Sequence, residues 1–398
     1  MAVETMRTCI YCGLDKTESE FSREHIWPDA LGGDFLPPLF QTDDVCERCN
    51  SLAGRYVDGA FLKSWFGQAE RSASGFEYLD LSANSKSVTP LHYMGVIADA
   101  PQETGDVYEM WVGPCGTHVI HAHSKDDDAA WQTYAGGDPV ARKRLPGRVY
   151  ITLTTTNPLW IALALRSVKA QFKKAARYIA NAQLPPQWHN LASAFDPNDA
   201  SQSKDLKVVD HLRDASRDGK FVRHSVAIKL DPDHRFLPKV ALGLGYQLFG
   251  MKFIQTPYAG LLRRGMREID PKAREKIPIY GTGFLNMAGP SMKVISFPGG
   301  WVLFLKAMKD KFALMIVTPS GKSMTIAISD TPSLWSGAEF DAYKDMGEFY
   351  VVVPPLATAV GPISAAVYLN HLLKHRSHPE LAALEARRTD KASLPPCN

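Results

Sequence analysis

The chain has 398 residues, enough for two or three domains of about 150 residues each. Its 45% hydrophobic and 22% charged content is that of an ordinary globular protein, with no apolar run of about 18 residues to span a membrane. The opening MAVETMRTCI lacks a charged start followed by an apolar core, so no signal peptide is expected. A net charge of +3 is too small to mark a nucleic-acid binder, but it is unevenly spread. Residues 1–72 hold 12 acidic and 7 Lys/Arg side chains, about −5, which leaves about +8 for the remainder.

In chain order, residues 9–58 carry the densest chemistry. They contain two Cys-x-x-C pairs, Cys9/Cys12 and Cys46/Cys49, around a Glu24-His25 dipeptide, and Asn50 follows the last cysteine. Each pair can put two thiolates on one tetrahedral ion, and two pairs complete a closed four-sulfur site that selects zinc over magnesium or calcium. A lone Cys-x-x-C is shared with redox motifs; two at this separation are specific. Between them Trp27-Pro28 and Gly32-Gly33 force turns. The other two cysteines, Cys115 and Cys397, stand alone, a usage expected of a reducing cytoplasm.

This stretch resembles the HNH (His-Me finger) endonucleases, in the branch where four cysteines brace a ββα-metal active site. The resemblance covers about 60 residues and implies three roles. His25 would be the general base that activates water. Glu24 and Asn50 would be oxygen ligands of one catalytic divalent cation, Mg2+ or Mn2+, while Cys9, Cys12, Cys46 and Cys49 hold a structural Zn2+. The chemistry is coherent: a histidine titrates near neutrality, and a hard cation offsets charge on a phosphodiester in reaction. One departure is the stretch Gln41-Thr42-Asp43-Asp44-Val45, which lacks the family's central Asn. Asp43, Asp44 or the backbone alone would then orient the histidine, and Asp58 is a further ligand candidate or a salt-bridging residue. The competing interpretation of Glu24 and His25 is a zinc module in which the two merely bind each other.

The spacing of Leu52, Ala53, Tyr56, Val57, Ala60 and Phe61 predicts a helix continuing from Asn50. A Ser/Gly-rich stretch then marks a module boundary, giving a nuclease module over 1–72 and an α+β region over 73–398 that divides near 280. Runs at 93–97, 107–112 and 117–123 predict strands. His121 and His123 share a face of the last one; with no acid or cysteine at ligand spacing, structural histidines are expected rather than a second metal site. Residues 124–148 read as a charged loop whose Arg142, Lys143, Arg144 and Arg148 either clamp phosphate or are solvated. After a strand near 149–155, Asn157-Pro158 opens a predicted helix over 159–182. Its Lys169, Lys173 and Arg177, with Arg166, form a basic face that either tracks a nucleic-acid backbone or faces solvent.

Residues 190–220 read as a loop with a short helix, and 221–230 as a strand. FLPKVALGLGYQLFG is an apolar helix in which Gly243 and Gly245 permit close packing; it is no nucleotide fingerprint. Apolar runs at 292–297, 301–308, 311–318 and 323–329, separated by PGG, KD and PSGK turns, predict an antiparallel meander. A strand at 349–353 and a helix at 363–375 follow.

The class is α+β: a zinc-braced ββα-metal (HNH) module, then a larger mixed region with a C-terminal meander. The expected function is metal-dependent hydrolysis of DNA phosphodiester bonds. The C-terminal region would select or sense the target, as in restriction or anti-phage effectors, with a nucleotide effector and a homodimer as candidate partners. The alternatives are a non-catalytic, zinc-dependent nucleic-acid-binding protein and a hydrolase of small nucleotides.

Overall fold

The computed structural model describes residues 6–79, 89–99, 105–124, 147–173, 175–180, 192–194, 196, 198–226, 231, 233–283 and 294–397. The chain divides into two compact units that are not contiguous in sequence. The first comprises residues 1–62, 73–79 and 230–389, and the second 63–72, 80–229 and 390–398.

The first unit begins with two small hairpins. Strands β1 (Met6–Thr8) and β2 (Asp15–Thr17) pair around the first cysteine pair. Strands β3 (Phe21–His25) and β4 (Gln41–Cys46) pair antiparallel, with a register shift between Ser22 and Glu24. Helix α1 (Glu47–Ala53) leaves β4 directly, and a π-helical turn, Gly54–Asp58, carries it into α2 (Gly59–Lys63). Helix α3 (Trp65–Glu77) runs across residue 72.

The second unit is built on a seven-stranded sheet. Its strands are β5 (His92–Ile97), β6 (Asp106–Val112), β7 (His118–Ser124), β8 (Arg148–Thr152), β9 (Arg177–Ala180), β10 (Ser193–Ala194) and β11 (His224–Ser225). Their order is β10-β9-β8-β7-β6-β5-β11, antiparallel except where β9 pairs with β8 and β10. Helix α4 (Pro158–Gln171) starts where the Asn-Pro signal predicted, with the Asn157 side chain accepting from the Leu159 amide. It ends eleven residues before the predicted 182, and the chain re-enters the sheet as β9, placing Arg177 on a strand. Tertiary pairing with β8 outweighs the weak helical pattern there. A second departure is α5 (Ala200–Arg217), an 18-residue helix where a loop with only a short helix was expected. Its charges pair at i,i+3 (Arg213 with Asp210, Arg217 with Asp214), while Asp205 and Val208 are buried. Arg148 is not part of a free basic cluster. It lies on β8, ion-paired to Asp106 at 2.6 Å and to the buried Asp205 at 2.5 Å. Arg142, Lys143 and Arg144 fall outside the described residues.

Residues 233–389 return to the first unit. Helix α6 (Asp233–Phe249) and α7 (Pro257–Arg267) precede a six-stranded antiparallel sheet. Its strands are β12 (Gly281–Thr282), β13 (Trp301–Ala307), β14 (Phe312–Val317), β15 (Ser323–Ser329), β16 (Glu348–Val353) and β17 (Thr358–Ser364), in the order β12-β15-β14-β13-β16-β17. This is the predicted meander, extended by β17; helix α8 (Ala365–Leu372) begins only after it. Residues 294–297 form no strand, and 292 and 293 lie outside the described residues.

The meander and α6 share one core with the N-terminal hairpins. Fully buried Trp27 packs edge-on against Phe236 of α6 and Trp301 of β13, and Phe61 stacks on Phe236 at 4.0 Å. A Cβ at Gly243 would stand 2.6 Å from Ile26 Cγ1, and one at Gly245 would stand 2.4 Å from the Phe253 ring, so both glycines serve close packing.

Cys115 and Cys397 do not stand alone. They form a disulfide across 282 residues of sequence within the second unit. Separation hides such a pairing from the sequence, because only the fold brings the C-terminal tail back to Cys115. Tryptic digestion without reductant should therefore release the Cys115 and Cys397 peptides as one cross-linked species that reductant splits. Two free-thiol peptides in freshly purified, acid-quenched protein would refute the bond.

Candidate active site and zinc centre

The first knuckle closes because Gly13 adopts φ +73° and donates its amide to the Cys9 carbonyl at 2.7 Å. The second forms where β4 ends: Cys46 precedes α1, and Cys49 lies on its first turn. The four sulfurs converge, all within 4.8 Å of one another. The Cys46 amide donates to Cys9 Sγ at 3.3 Å, the kind of outer contact that orients a ligating thiolate. The Cys9 thiol is held well below the ordinary range chiefly by a hydrogen bond from Cys49. Four thiols in a tetrahedron-sized cluster fit a zinc ion.

The cysteine cluster anchors the start of α1, and α1 positions Asn50. The Asn50 amide nitrogen donates to Ser22 Oγ at 3.0 Å and to the Arg23 carbonyl at 2.8 Å, gripping β3 at its bulge. Both bonds use Nδ2, which leaves Oδ1 as the oxygen available to a cation. Beyond the bulge, Glu24 is buried and His25 is half-buried.

The loop after β3 folds back on His25. Trp27 Nε1 donates to the Leu31 carbonyl at 3.0 Å, and Gly32 takes φ +88°. A Cβ at Gly33 would meet the Trp27 carbonyl at 2.0 Å, so only glycine allows this turn. The result is a close contact that the sequence did not suggest: His25 Nε2 lies 2.5 Å from Asp34 Oδ1. Asp29 joins it. Burial and a hydrogen bond with Asp34 push the Asp29 carboxyl up, while that bond and His25 hold Asp34 down. The carboxylates expected to orient His25 are engaged elsewhere. Asp44 pairs with Arg7 at 2.5 Å and accepts from the Tyr246 hydroxyl at 2.8 Å, and Asp43 pairs with Arg23.

Behind the hairpin stands Lys239 of α6, fully buried. Its ammonium lies 2.6 Å from Glu24 Oε1, 3.0 Å from Asp58 Oδ2, 2.6 Å from the His25 carbonyl and 3.1 Å from the Ile26 carbonyl. The Tyr11 hydroxyl also donates to Glu24 Oε1, at 3.1 Å. Both contacts of Glu24 thus fall on Oε1, and Oε2 is the oxygen left for a cation. Burial raises the Asp58 carboxyl to about 6, with Lys239 opposing the rise. Asp58 Oδ1 is buried without a hydrogen-bond partner. These leftover hard oxygens, on Glu24, Asn50 and Asp58, are of the type that suits magnesium or manganese.

The segment from the first knuckle through α2 has the parts of a zinc-braced nuclease hairpin and helix. Residues 9–66 match the HNH endonuclease family model. No curated protein and no solved structure matches the chain. Outside the HNH module, Lys169 and Arg177 lie in the second unit on α4 and β9, where Lys169 Nζ sits 6.0 Å from the Tyr178 ring centroid and Arg177 pairs with Asp199. Lys173 is exposed just beyond α4. No helix among the described residues is long and apolar enough to cross a membrane.

Lys239 was legible only as one cation inside an apolar run, and Asp34 only as an acid after the double glycine. Lys239→Met should destabilise the first unit by about 3–5 kcal/mol, because two buried carboxylates lose their counter-ion. The loss should shrink markedly when the same change is made in Glu24→Gln/Asp58→Asn protein. Urea unfolding of the four proteins checks this, and additive losses would refute the coupling. Cys46→Ala, or zinc removal by a strong chelator, should melt the HNH module at lower temperature and loosen Asn50 from β3. An unchanged melting curve after verified zinc loss would contradict it.

Proposed function

We propose that this protein is a metal-dependent nuclease whose HNH module hydrolyses phosphodiester bonds in DNA. The observation that carries this reading is the His25–Asp34 pair at the end of a hairpin braced by four convergent cysteines, within the HNH-matching segment. With Nε2–H directed at Asp34, the His25 Nδ1 lone pair is free to take a proton from the attacking water. Asp34 then holds the ring in that tautomer and stabilises the imidazolium, while Asn50 fixes the strand that presents it. Glu24 Oε2 and Asn50 Oδ1, with Asp58 nearby in the same buried network, would hold the cation. A bound divalent cation would offset charge on the phosphate and on the leaving oxygen.

The acidic balance of residues 1–72 suits cations better than DNA, so grip on the phosphate backbone falls to the rest of the chain, with Lys169, Lys173 and Arg177 as candidates. That larger part, residues 73–398, would select the target or sense a nucleotide signal in restriction or anti-phage defence. A single cation centre per chain makes a homodimer the natural agent of double-strand breaks. One observation favours the rival, non-catalytic reading: Glu24 already has a buried partner in Lys239.

Plasmid and phage DNA should be cut in Mg2+ or Mn2+, not in EDTA, with His25→Ala lowering the rate by about 10²–10⁴-fold. Asp34→Asn should lower it less and shift the pH profile. If DNA alone is inert, a panel of cyclic nucleotides and modified DNA tests for a required signal. DNA binding that survives EDTA and His25→Ala, without cleavage under any of these conditions, would support the non-catalytic reading.

A further inference from the structure

The second unit holds a cluster that the nuclease reading does not use. Glu109 on β6 lies directly opposite His121 on β7 in the antiparallel register, and His123, two residues on, shares their face. All three are at most 3% exposed. They sit under α4 beside the apolar cluster of Trp111, Val119 and Val149, with the Phe172 ring 4.8 Å from that of His121. A carboxyl group and two imidazoles brought together out of water form a donor set that a cation could join.

His121 Nδ1 makes a long hydrogen-bond contact with Glu109 Oε2 at 3.4 Å, and His123 Nε2 lies 3.8 Å from the same oxygen. His123 Nδ1 donates to the Ser124 carbonyl at 3.1 Å, which turns Nε2 toward Glu109. Nε2 is buried with no hydrogen-bond partner. In the neutral ring that nitrogen carries a lone pair, and a cation between it and the carboxylate would satisfy both.

The spacings suit a metal ion. Bonds of about 2.0–2.2 Å at tetrahedral angles place neighbouring ligand atoms about 3.3–3.5 Å apart. One atom from each of the three residues lies within 4.8 Å of the others. A backbone carbonyl holding the second imidazole nitrogen is the usual outer support of a metal-bound histidine. Tyr93 supports the carboxylate in the same way, its hydroxyl donating to Glu109 Oε1 at 3.2 Å. Gly147 completes the enclosure: a Cβ there would stand 2.0 Å from His121 Nε2, so the backbone must pass as glycine.

We propose that Glu109, His121 and His123 bind a first-row divalent metal of the zinc class, through Oε2, Nδ1 and Nε2, with a fourth position for water or an exogenous ligand. Two imidazoles and one carboxylate favour zinc, cobalt or iron over magnesium. The site is independent of the four-cysteine centre, and it ties β6 to β7.

Zinc per chain is measured by mass spectrometry on the purified full-length protein, loaded with zinc and dialysed, for wild type and His123→Gln. The wild type should retain one equivalent more than the variant, whose cysteine zinc remains. Equal retention in a folded variant overturns the site. If His123→Gln fails to fold, Co2+ titration of zinc-depleted wild type decides. One bound equivalent should show thiolate charge-transfer absorption. Another should show only weak d–d bands and persist in Asn50→Ala, which lacks a ligand of the proposed nuclease cation. Absence of that second species, or its loss in Asn50→Ala, overturns the proposal.

Discussion

An ammonium group sealed from water is tolerable only where charge and hydrogen bonds replace its hydration, and the candidate nuclease site depends on that constraint. Lys239 meets two carboxylates and two backbone carbonyls, more acceptors than its three hydrogens can serve at once. The bonds to the His25 and Ile26 carbonyls matter as much as the ion pairs, because they fix the end of β3 from behind. His25 is thereby held on two sides, by Lys239 at its backbone and by Asp34 at its ring. A helix more than 200 residues downstream supplies one of those restraints.

The HNH module is therefore not a bead on a string. Trp27 lies between Phe236 and Trp301, Gly243 admits Ile26, and Arg263 of α7 donates to the Ile10 carbonyl inside the first knuckle at 3.1 Å. A module of about 60 residues has little core of its own, and a metal on the four cysteines would supply only part of what it lacks. The remainder comes from α6, α7 and β13. Helix α6 meets the end of β3 directly, through packed side chains and the Lys239 bonds to the His25 and Ile26 carbonyls.

The two candidate metal sites differ in the softness of their donors. The knuckles gather sulfur from neighbouring turns, so local geometry alone assembles the site. The Glu109, His121 and His123 cluster gathers nitrogen and oxygen across a β-ladder, so it exists only once β6 and β7 are in register. The histidine spacing on β7 was visible in the sequence, but the acid came from the adjacent strand. A search along one strand for a further ligand could not find it.

The cysteine pairs, the Glu-His dipeptide, Asn50, the Asn-Pro helix start and the turn-punctuated C-terminal meander were readable from the sequence, because each is encoded by residues close together in the chain. Local chemistry determines a knuckle, a cap or a hairpin turn whatever lies beyond it. The partners of those residues were not readable: Asp34 for His25, Lys239 for Glu24 and Asp58, Glu109 for the histidines, Cys397 for Cys115. The limits of α4 and the length of α5 belong with them, since sheet pairing and one buried face decided both against a weak local pattern. These contacts join segments up to 282 residues apart, and burial gives them their strength. Sequence alone determined which groups could do chemistry. Only the tertiary structure decided which charges meet out of water, where an unpaired ion is too costly to leave alone.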